Sequence, residues 1–334
     1  MKLNRILLTI MITMSGLSAQ AADGVGTAVG NWLKLETGTR SIAMGGASVA
    51  AGEGISAVTY NPTSIGLITG SDTYYSKTNY IAGISHSVIG YGTQVTPNDF
   101  FGVHLFFLDS GPIERTTAQN SDGGIGDFNV YSFALRTTYT RVLTKRLKFG
   151  VTAKYIREQI DASYMQSVSL DIGSNFDTGM YGFILGMSAS NLGPEVQFYG
   201  ESLEVPTEEG NADQALIKTT DYFSLPFVFR LGLKNDIMGV NSEFIKNEHN
   251  RLTLAMDAIS SADYSNYVVI GIEYAWRNIA FLRSGLHFGH DTAGLSLGGG
   301  LKYKVIGYNI GIDYAYVDYQ SLDKAHQFGI SLGF

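Results

Sequence analysis

The last ten residues, AHQFGISLGF, place Phe328, Ile330, Leu332 and Phe334 at every second position, alternating with Gly329, Ser331 and Gly333 up to a terminal aromatic. A period of two puts one set on one face of a strand and the other set on the opposite face, and no helix displays it on one side. Apolar residues out and small or polar residues in, closing on an aromatic, is the pattern of the last strand of an outer-membrane β-barrel, where it also serves as a barrel-assembly signal. The pattern recurs upstream. Tyr131, Phe133, Leu135, Thr137 and Tyr139 oppose Ser132, Ala134, Arg136, Thr138 and Thr140. Val268, Ile270, Ile272, Tyr274 and Trp276 oppose Gly271, Glu273 and Ala275, and Ile310, Ile312, Tyr314 and Tyr316 oppose Gly311, Asp313 and Ala315. Arg136, Glu273 and Asp313 thereby fall on the lumenal face, where water or protein can solvate them.

The start of the chain gives the same address. Lys2 and Arg5 precede an apolar run ending at Met14, and Ala19-Gln20-Ala21 forms a small-residue cleavage site. This is the pattern of a secretory signal peptide over residues 1–21. The run is too short to span a bilayer, and no later segment is long and apolar enough, so membrane residence has to come from strands. About fourteen strands from Ser71 onward account for about 310 mature residues as one all-β barrel, an even number as single-chain bacterial barrels require.

Composition agrees where it bears on function. Forty glycines, 20 tyrosines and 18 phenylalanines suit a closed sheet with aromatic girdles. The absence of cysteine removes disulfides, thiol nucleophiles and thiolate metal sites. The formal charge of −7 becomes −9 once Lys2 and Arg5 leave, which argues against nucleic acid as a partner.

Connection lengths define the two ends. With both termini in the periplasm, short connections near 96–98, 144–146, 175–179, 277–278 and 305–306 face inward. The connections 109–128 and 191–225 are longer and face the exterior, the second carrying Glu201, Glu204, Glu208, Glu209 and Asp213 as a solvated acidic face. The connection 235–250 is longer than an inward turn should be.

Residues 22–70 lack sustained alternation and are too many for a tether. They read as a hatch or plug tucked into the lumen, with Gly45, Gly46, Gly52 and Gly54 allowing tight turns. Trp32, just before the glycines, is placed to anchor the N-terminal part in the lumen.

Here the chain resembles the PorV/PorQ family, within the FadL-like group of outer-membrane proteins. The residues that carry the resemblance are Trp32, Leu33 through Arg40 (LKLETGTR), Met44-Gly45-Gly46-Ala47 and Asn61-Pro62. It continues through NLG at 191–193, SLPFVFRLGL at 224–233, LAMD at 254–257, RSGLHFGHDTAGLSLGGGLKY at 283–303, DYAY at 313–316 and Phe334. The resemblance implies a fourteen-stranded FadL-like transmembrane barrel over 71–334 with its hatch at 22–70. For the PorV branch it implies a non-enzymatic part of the type IX secretion system. Such a part binds the C-terminal signal domain of secreted proteins at a large outer-membrane translocon barrel and carries them to a sortase-like surface attachment complex. Outer-membrane lipid and the barrel-assembly machinery are the further partners. For the FadL branch it implies a channel for hydrophobic small molecules, with an apolar pocket and a gap in the wall.

No cofactor, metal or catalytic site is read from the residues. His287 and His290 are three apart, which in a strand puts them on opposite faces; at a strand-to-loop junction they could converge, but no third ligand stands nearby. His86, His104, His249 and His326 are bases on paper only. Ser85 and Ser87 flank His86 from the opposite face, so no nucleophile meets its base. The MGGA glycines lack the Lys-Ser/Thr of a phosphate cradle. Tyr74, Tyr75, Trp276 and Tyr319 read as girdle or plug packing.

Overall fold

The computed structural model describes residues 26–205, 216–217 and 220–334, without the side chains of 204–205 and 216–217. The signal-peptide residues, and Glu208, Glu209 and Asp213 of the acidic loop, lie outside the described residues.

Fourteen antiparallel strands close on themselves. They are β1 (Ser71–Asn79), β2 (Ser85–Gln94), β3 (Asp99–Asp109), β4 (Val130–Val142), β5 (Leu147–Ile160), β6 (Ser163–Asp177) and β7 (Ile184–Leu192). They continue with β8 (Val228–Gly239), β9 (Asn250–Ser261), β10 (Tyr264–Trp276), β11 (Ala280–Phe288), β12 (Leu295–Val305), β13 (Tyr308–Asp318) and β14 (Lys324–Gly333). Each strand pairs with the next, and β1 pairs with β14 from Asp72↔Gly333 to Asn79↔His326. Closure leaves no free first or last strand, which is what a sheet surrounded by hydrocarbon needs.

The alternation in the sequence becomes inside and outside. On β4, Ser132, Ala134, Arg136, Thr138 and Thr140 are buried, while Tyr131, Leu135 and Tyr139 are exposed. On β14, Phe328 and Ile330 face outward beside inward Gln327 and Gly329. Exposed Tyr75, Ile89, Phe101, Phe149, Leu282 and Ile312 continue the apolar surface around the wall. An apolar exterior of that extent over an interior holding Arg136, Lys154, Asp171, Glu273 and Arg283 reverses the polarity of a water-soluble sheet. No helix among the described residues is long and apolar enough to cross a membrane.

The connections at the end where β14 finishes are short, at 95–98, 143–146, 277–279 and 306–307. The long connection anticipated near 235–250 shrinks to residues 240–249, because β8 runs on to Gly239. Ile245–Lys246 folds back parallel to Met238–Gly239, so the excess length caps the barrel end. At the other end, Ile113–Glu114 pairs with Asp127–Phe128 in a projecting hairpin.

Residues 26–70 occupy the lumen as short turns: a 3₁₀ turn at Asn31–Lys34, a single helical turn α1 (Thr39–Ala43), and 3₁₀ turns at Ile55–Ala57 and Pro62–Leu67. The hatch enters the described structure at the long-loop end, where Ala28 bridges Ser224, and leaves at the short-turn end, where Ser71 N–H donates to Phe334 O. The wall offers glycines where hatch backbone meets it. A Cβ on Gly285 would lie 2.2 Å from Gly45 N, and one on Gly271 would lie 2.6 Å from Met44 O, so neither position admits a side chain without displacing the hatch.

Candidate functional site

Each hatch residue singled out in the sequence is a contact to the wall. Trp32 stacks on Phe106 at 5.6 Å, and its Nε1–H donates to Glu158 Oε2 at 3.0 Å. Leu33 is buried in the same apolar cluster as Ile55, Ile65 and Met165. Met44 is fully buried against Val269 and Ala255. Gly45 and Gly46 both have positive φ, the backbone state that bends the hatch away from α1. Asn61 caps the Pro62–Leu67 turn by accepting from Thr63 N–H, and its amide donates to Val49 O and Ser174 O. Pro62 lies against Gly150 and Gly173.

Arg40 is the centre of a buried ion cluster near the short-turn end. Its Nε and Nη2 donate to Glu273 at 2.8 and 3.0 Å, and its Nη1 donates to Ala51 O at 2.6 Å. Glu273 also accepts from Arg283 at 2.7 Å and Arg251 at 2.8 Å, and Arg283 donates to Asp313 at 2.5 Å. Burial alone would lower the Arg40 pKa, but the carboxylates of Glu273 and Glu53 outweigh it and hold it above the ordinary arginine value. Arg40 is therefore a fixed positive charge that ties the hatch to strands β10, β11 and, through Arg283, β13. A second hatch anchor is Asp257 on β9, whose carboxylate accepts from the N–H groups of Ser48 and Val49 at 2.7 and 2.9 Å.

Toward the long-loop end, one stretch of the wall, a seam, lacks a neighbour on one side. Past Leu170, which pairs with Leu192, β6 residues 165–169 have strand partners on β5 alone, because β7 ends there. Asn191, at φ 65°, turns the chain out of the ladder, held by Asp171 accepting from its N–H and by its amide donating to Pro226 O. Val196 and Leu225 from the following loop join Trp32 and Met165 in covering the seam from inside.

At the long-loop end, hatch and wall line a half-open cavity of about 220 Å³. Its lining includes Lys34, Glu36, Arg230, Tyr264, Tyr267, His287, His290 and Tyr319. The Asn31–Lys34 turn separates the two features, with Asn31 and Lys34 on the cavity and Trp32 and Leu33 toward the seam. Lys34 Nζ is paired with Asp263 at 2.7 Å. Burial pushes the Glu36 carboxyl up to about 7, against the opposing pull of Arg230. A larger space of about 650 Å³ opens at the short-turn mouth, where Arg40, Arg283 and Asp313 of the ion cluster contribute to its lining.

Sequence spacing alone separates His287 from His290, yet their ring centroids are 5.5 Å apart. β11 ends at Phe288, and positive-φ Gly289 turns His290 back over the cavity. No group of three or more metal-ligating side chains forms among the described residues. His86 and His104 are buried inside the wall; His86 stacks on Phe106 at 5.2 Å, and His104 Nδ1 lies 3.4 Å from Arg136. Of the girdle-or-plug tyrosines, Tyr74 packs on the hatch: it is buried, and its hydroxyl accepts from Thr39 N–H. Tyr75 and Trp276 are exposed on the outer wall. Glu36, Tyr80, Arg230, Tyr264 and Tyr267 escaped sequence reasoning, since the cavity gathers single residues from distant elements and no local pattern marks them.

A closed fourteen-stranded antiparallel barrel, apolar outside and filled by an N-terminal hatch, is the architecture of the FadL-like barrels. Among solved structures the chain is similar to the toluene transporter TodX of Pseudomonas putida, at 13% identity over 88% of this chain and 96% of that one, with a TM-score of 0.54. It is similar to a Pseudomonas aeruginosa FadL homologue at 10% identity, 90% and 98% coverage and a TM-score of 0.54. The CymD monoaromatic hydrocarbon channel follows at 11% identity, 89% and 97% coverage and 0.53. At these identities the likeness is one of fold. No protein-family model matches the sequence, and no curated protein matches it.

Proposed function

We propose that this chain is an outer-membrane channel for small, predominantly apolar molecules, with the hatch as its gate. The observation that carries the reading is the half-open, aromatic-lined cavity at the long-loop end, one short turn away from the unpaired stretch of β6. A molecule entering from the long-loop end, taken as the cell exterior, occupies the cavity. A shift of the Asn31–Lys34 turn then exposes the seam, and the molecule leaves sideways into the membrane, which spares it the ion cluster across the axial route. The solved barrels of this architecture include a toluene transporter and a monoaromatic hydrocarbon channel, which agrees with this reading. The test is uptake of radiolabelled toluene by cells with and without the protein, and with Trp32→Ala. Faster uptake with the protein, and faster again with the seam uncovered, supports the channel. Equal rates in all three refute it.

A second reading is a non-enzymatic PorV-like component of protein secretion, favoured by the resemblance through the whole mature sequence and by an ion cluster that keeps the axial lumen shut. In that role the loop 191–225 and one lipid-facing wall meet the translocon barrel and the signal domain of cargo. Affinity purification from mild-detergent membranes, with mass spectrometry of co-purifying proteins, separates the readings. A giant barrel or signal-domain cargo favours secretion; recovery of small aromatic molecules alone favours the channel.

A further inference from the structure

We infer that the long-loop cavity selects a one-ring molecule bearing a hydroxyl, by offering that hydroxyl one imidazole lone pair and one imidazole N–H from His287 and His290. The inference deepens the channel reading and rests on it for its biological sense, although the binding site stands by itself.

The two tautomers follow from the backbone. His287 Nδ1 lies 3.2 Å from Gly294 O. A carbonyl can only accept, so Nδ1 carries the proton and Nε2 keeps its lone pair. His290 Nδ1 instead receives the N–H groups of Thr292 and Ala293 at 3.2 and 3.0 Å. There Nδ1 is the acceptor, and in the neutral ring Nε2 carries the proton. Both rings line the cavity with their Nδ1 atoms engaged in the 287–294 loop, so Nε2 is the ring nitrogen that each has left to offer a guest. One accepts and one donates. A hydroxyl, which donates once and accepts, is the complement of that pair.

Size and charge narrow the guest further. A cavity of about 220 Å³ is smaller than the roughly 300 Å³ at which sites for drug-sized ligands begin, so it suits a single ring better than a long chain. Tyr267 stands edge-on to His290 at 4.9 Å, and Tyr264 leans on the same ring at 5.1 Å, giving aromatic walls around the polar pair. Lys34 is spent on Asp263, and burial keeps His290 neutral by lowering its pKa to about 4. The remaining charges, Glu36 and Arg230, oppose one another. The site thus favours a neutral guest over an ion. A hydrocarbon ring that fills the same space would cover one donor and one acceptor without pairing them, the condition under which sites discriminate most strongly.

The experiment uses the full-length mature protein in lipid nanodiscs with ¹⁵N-labelled histidine, and phenol and toluene as probes. Two-bond ¹⁵N–¹H spectra are expected to show His287 as the Nδ1–H tautomer and His290 as the Nε2–H tautomer. Phenol should shift both Nε2 signals in a saturable way and bind about tenfold more tightly than toluene. His290→Phe and, separately, His287→Phe should each bring the ratio of phenol to toluene affinity from about ten to near one; heat-modifiable gel mobility verifies that each barrel is folded. Equal affinity for the two probes, unmoved Nε2 signals, or phenol affinity unchanged in both variants overturns the inference. Uptake by proteoliposomes distinguishes the two levels: site-specific phenol binding without uptake sustains the site and sinks the channel, whereas uptake without discrimination sinks the site alone.

Discussion

Replacing Arg40 by Met should free the hatch without unfolding the barrel. The Arg40 side chain is 11% exposed and contributes two of the four hydrogen bonds made to Glu273, whose side chain is completely buried. Removing one member of a buried charge cluster costs about 3–5 kcal/mol. Arg251 and Arg283 continue to neutralise Glu273, so the lower figure applies, and about 3 kcal/mol raises the population of an undocked hatch by about 150-fold. The chain has no cysteine, which permits a clean probe. Ser48→Cys is nearly isosteric at a fully buried hatch position whose hydroxyl has no partner. In nanodiscs, a water-soluble maleimide should label this cysteine about a hundred times faster when Arg40→Met is added, with the barrel still heat-modifiable on a gel. Glu273→Gln should accelerate labelling too, and the double variant should fall well short of the product of the two effects because both break one contact. A change below threefold in Arg40→Met, or strict multiplication in the double variant, would show that the cluster does not hold the hatch.

Three further outcomes follow from the same geometry. Gly285→Ala places a methyl 2.2 Å from Gly45 N, so it should loosen the hatch by about 1–3 kcal/mol, read as faster labelling of the same cysteine with an unchanged barrel. Because Glu36 has its carboxyl pKa raised from 4.5 to about 7, the folded state binds more protons than the unfolded chain between those values, and stability falls as pH rises through that window. Full burial would make this about 3 kcal/mol, and cavity water reduces it. Glu36→Gln should therefore be about 2 kcal/mol more stable than the parent at pH 8 and equal to it below pH 4.5, by urea unfolding in detergent. Shortening the loop 191–225 while preserving Val196 and Leu225 should abolish cargo co-purification if the protein serves secretion; retained binding would remove cargo docking from that loop.

The wall was legible because each strand writes its environment at a period of two. Arg136, Glu273 and Asp313 could be assigned to the lumen from their neighbours alone, and the structure buries all three. The hatch was legible as an interruption of that period, and Trp32, Arg40, Met44 and Asn61 were legible as its important residues through resemblance. What they touch was not: Arg40 and Glu273 are 233 residues apart, and one-dimensional spacing carries no record of that encounter. His287 and His290 show the limit most clearly. Alternation separates them for as long as the strand continues, and it ends between them at Phe288. Sequence left Tyr74 between girdle and plug, and only the meeting with a hatch amide, Thr39 N–H, decides which.

The distribution of anchors along the hatch argues for where it moves. From Arg40 to Pro62 the apolar contacts of Met44 and Ile55 are joined by ionic and backbone-directed ones: Glu273 on Arg40, Asp257 on Ser48 and Val49, Asp72 on Ile55 N–H, and Thr140 donating to Pro62 O. Each would leave a buried polar group unpaired if broken, a loss without compensation in a closed lumen. The segment before Glu36 is held differently. Trp32 and Leu33 lie in apolar contact, with one Trp32 hydrogen bond to Glu158, Lys34 makes a single ion pair with Asp263, and Ala28 bridges to a loop rather than to a barrel strand. Apolar surface released there can be re-covered by an apolar guest, which the ionic anchors cannot accept in exchange. The same lumen can thus hold a fixed plug at the short-turn end and a yielding turn beside the cavity and the seam, and a route through the wall requires only the second to move.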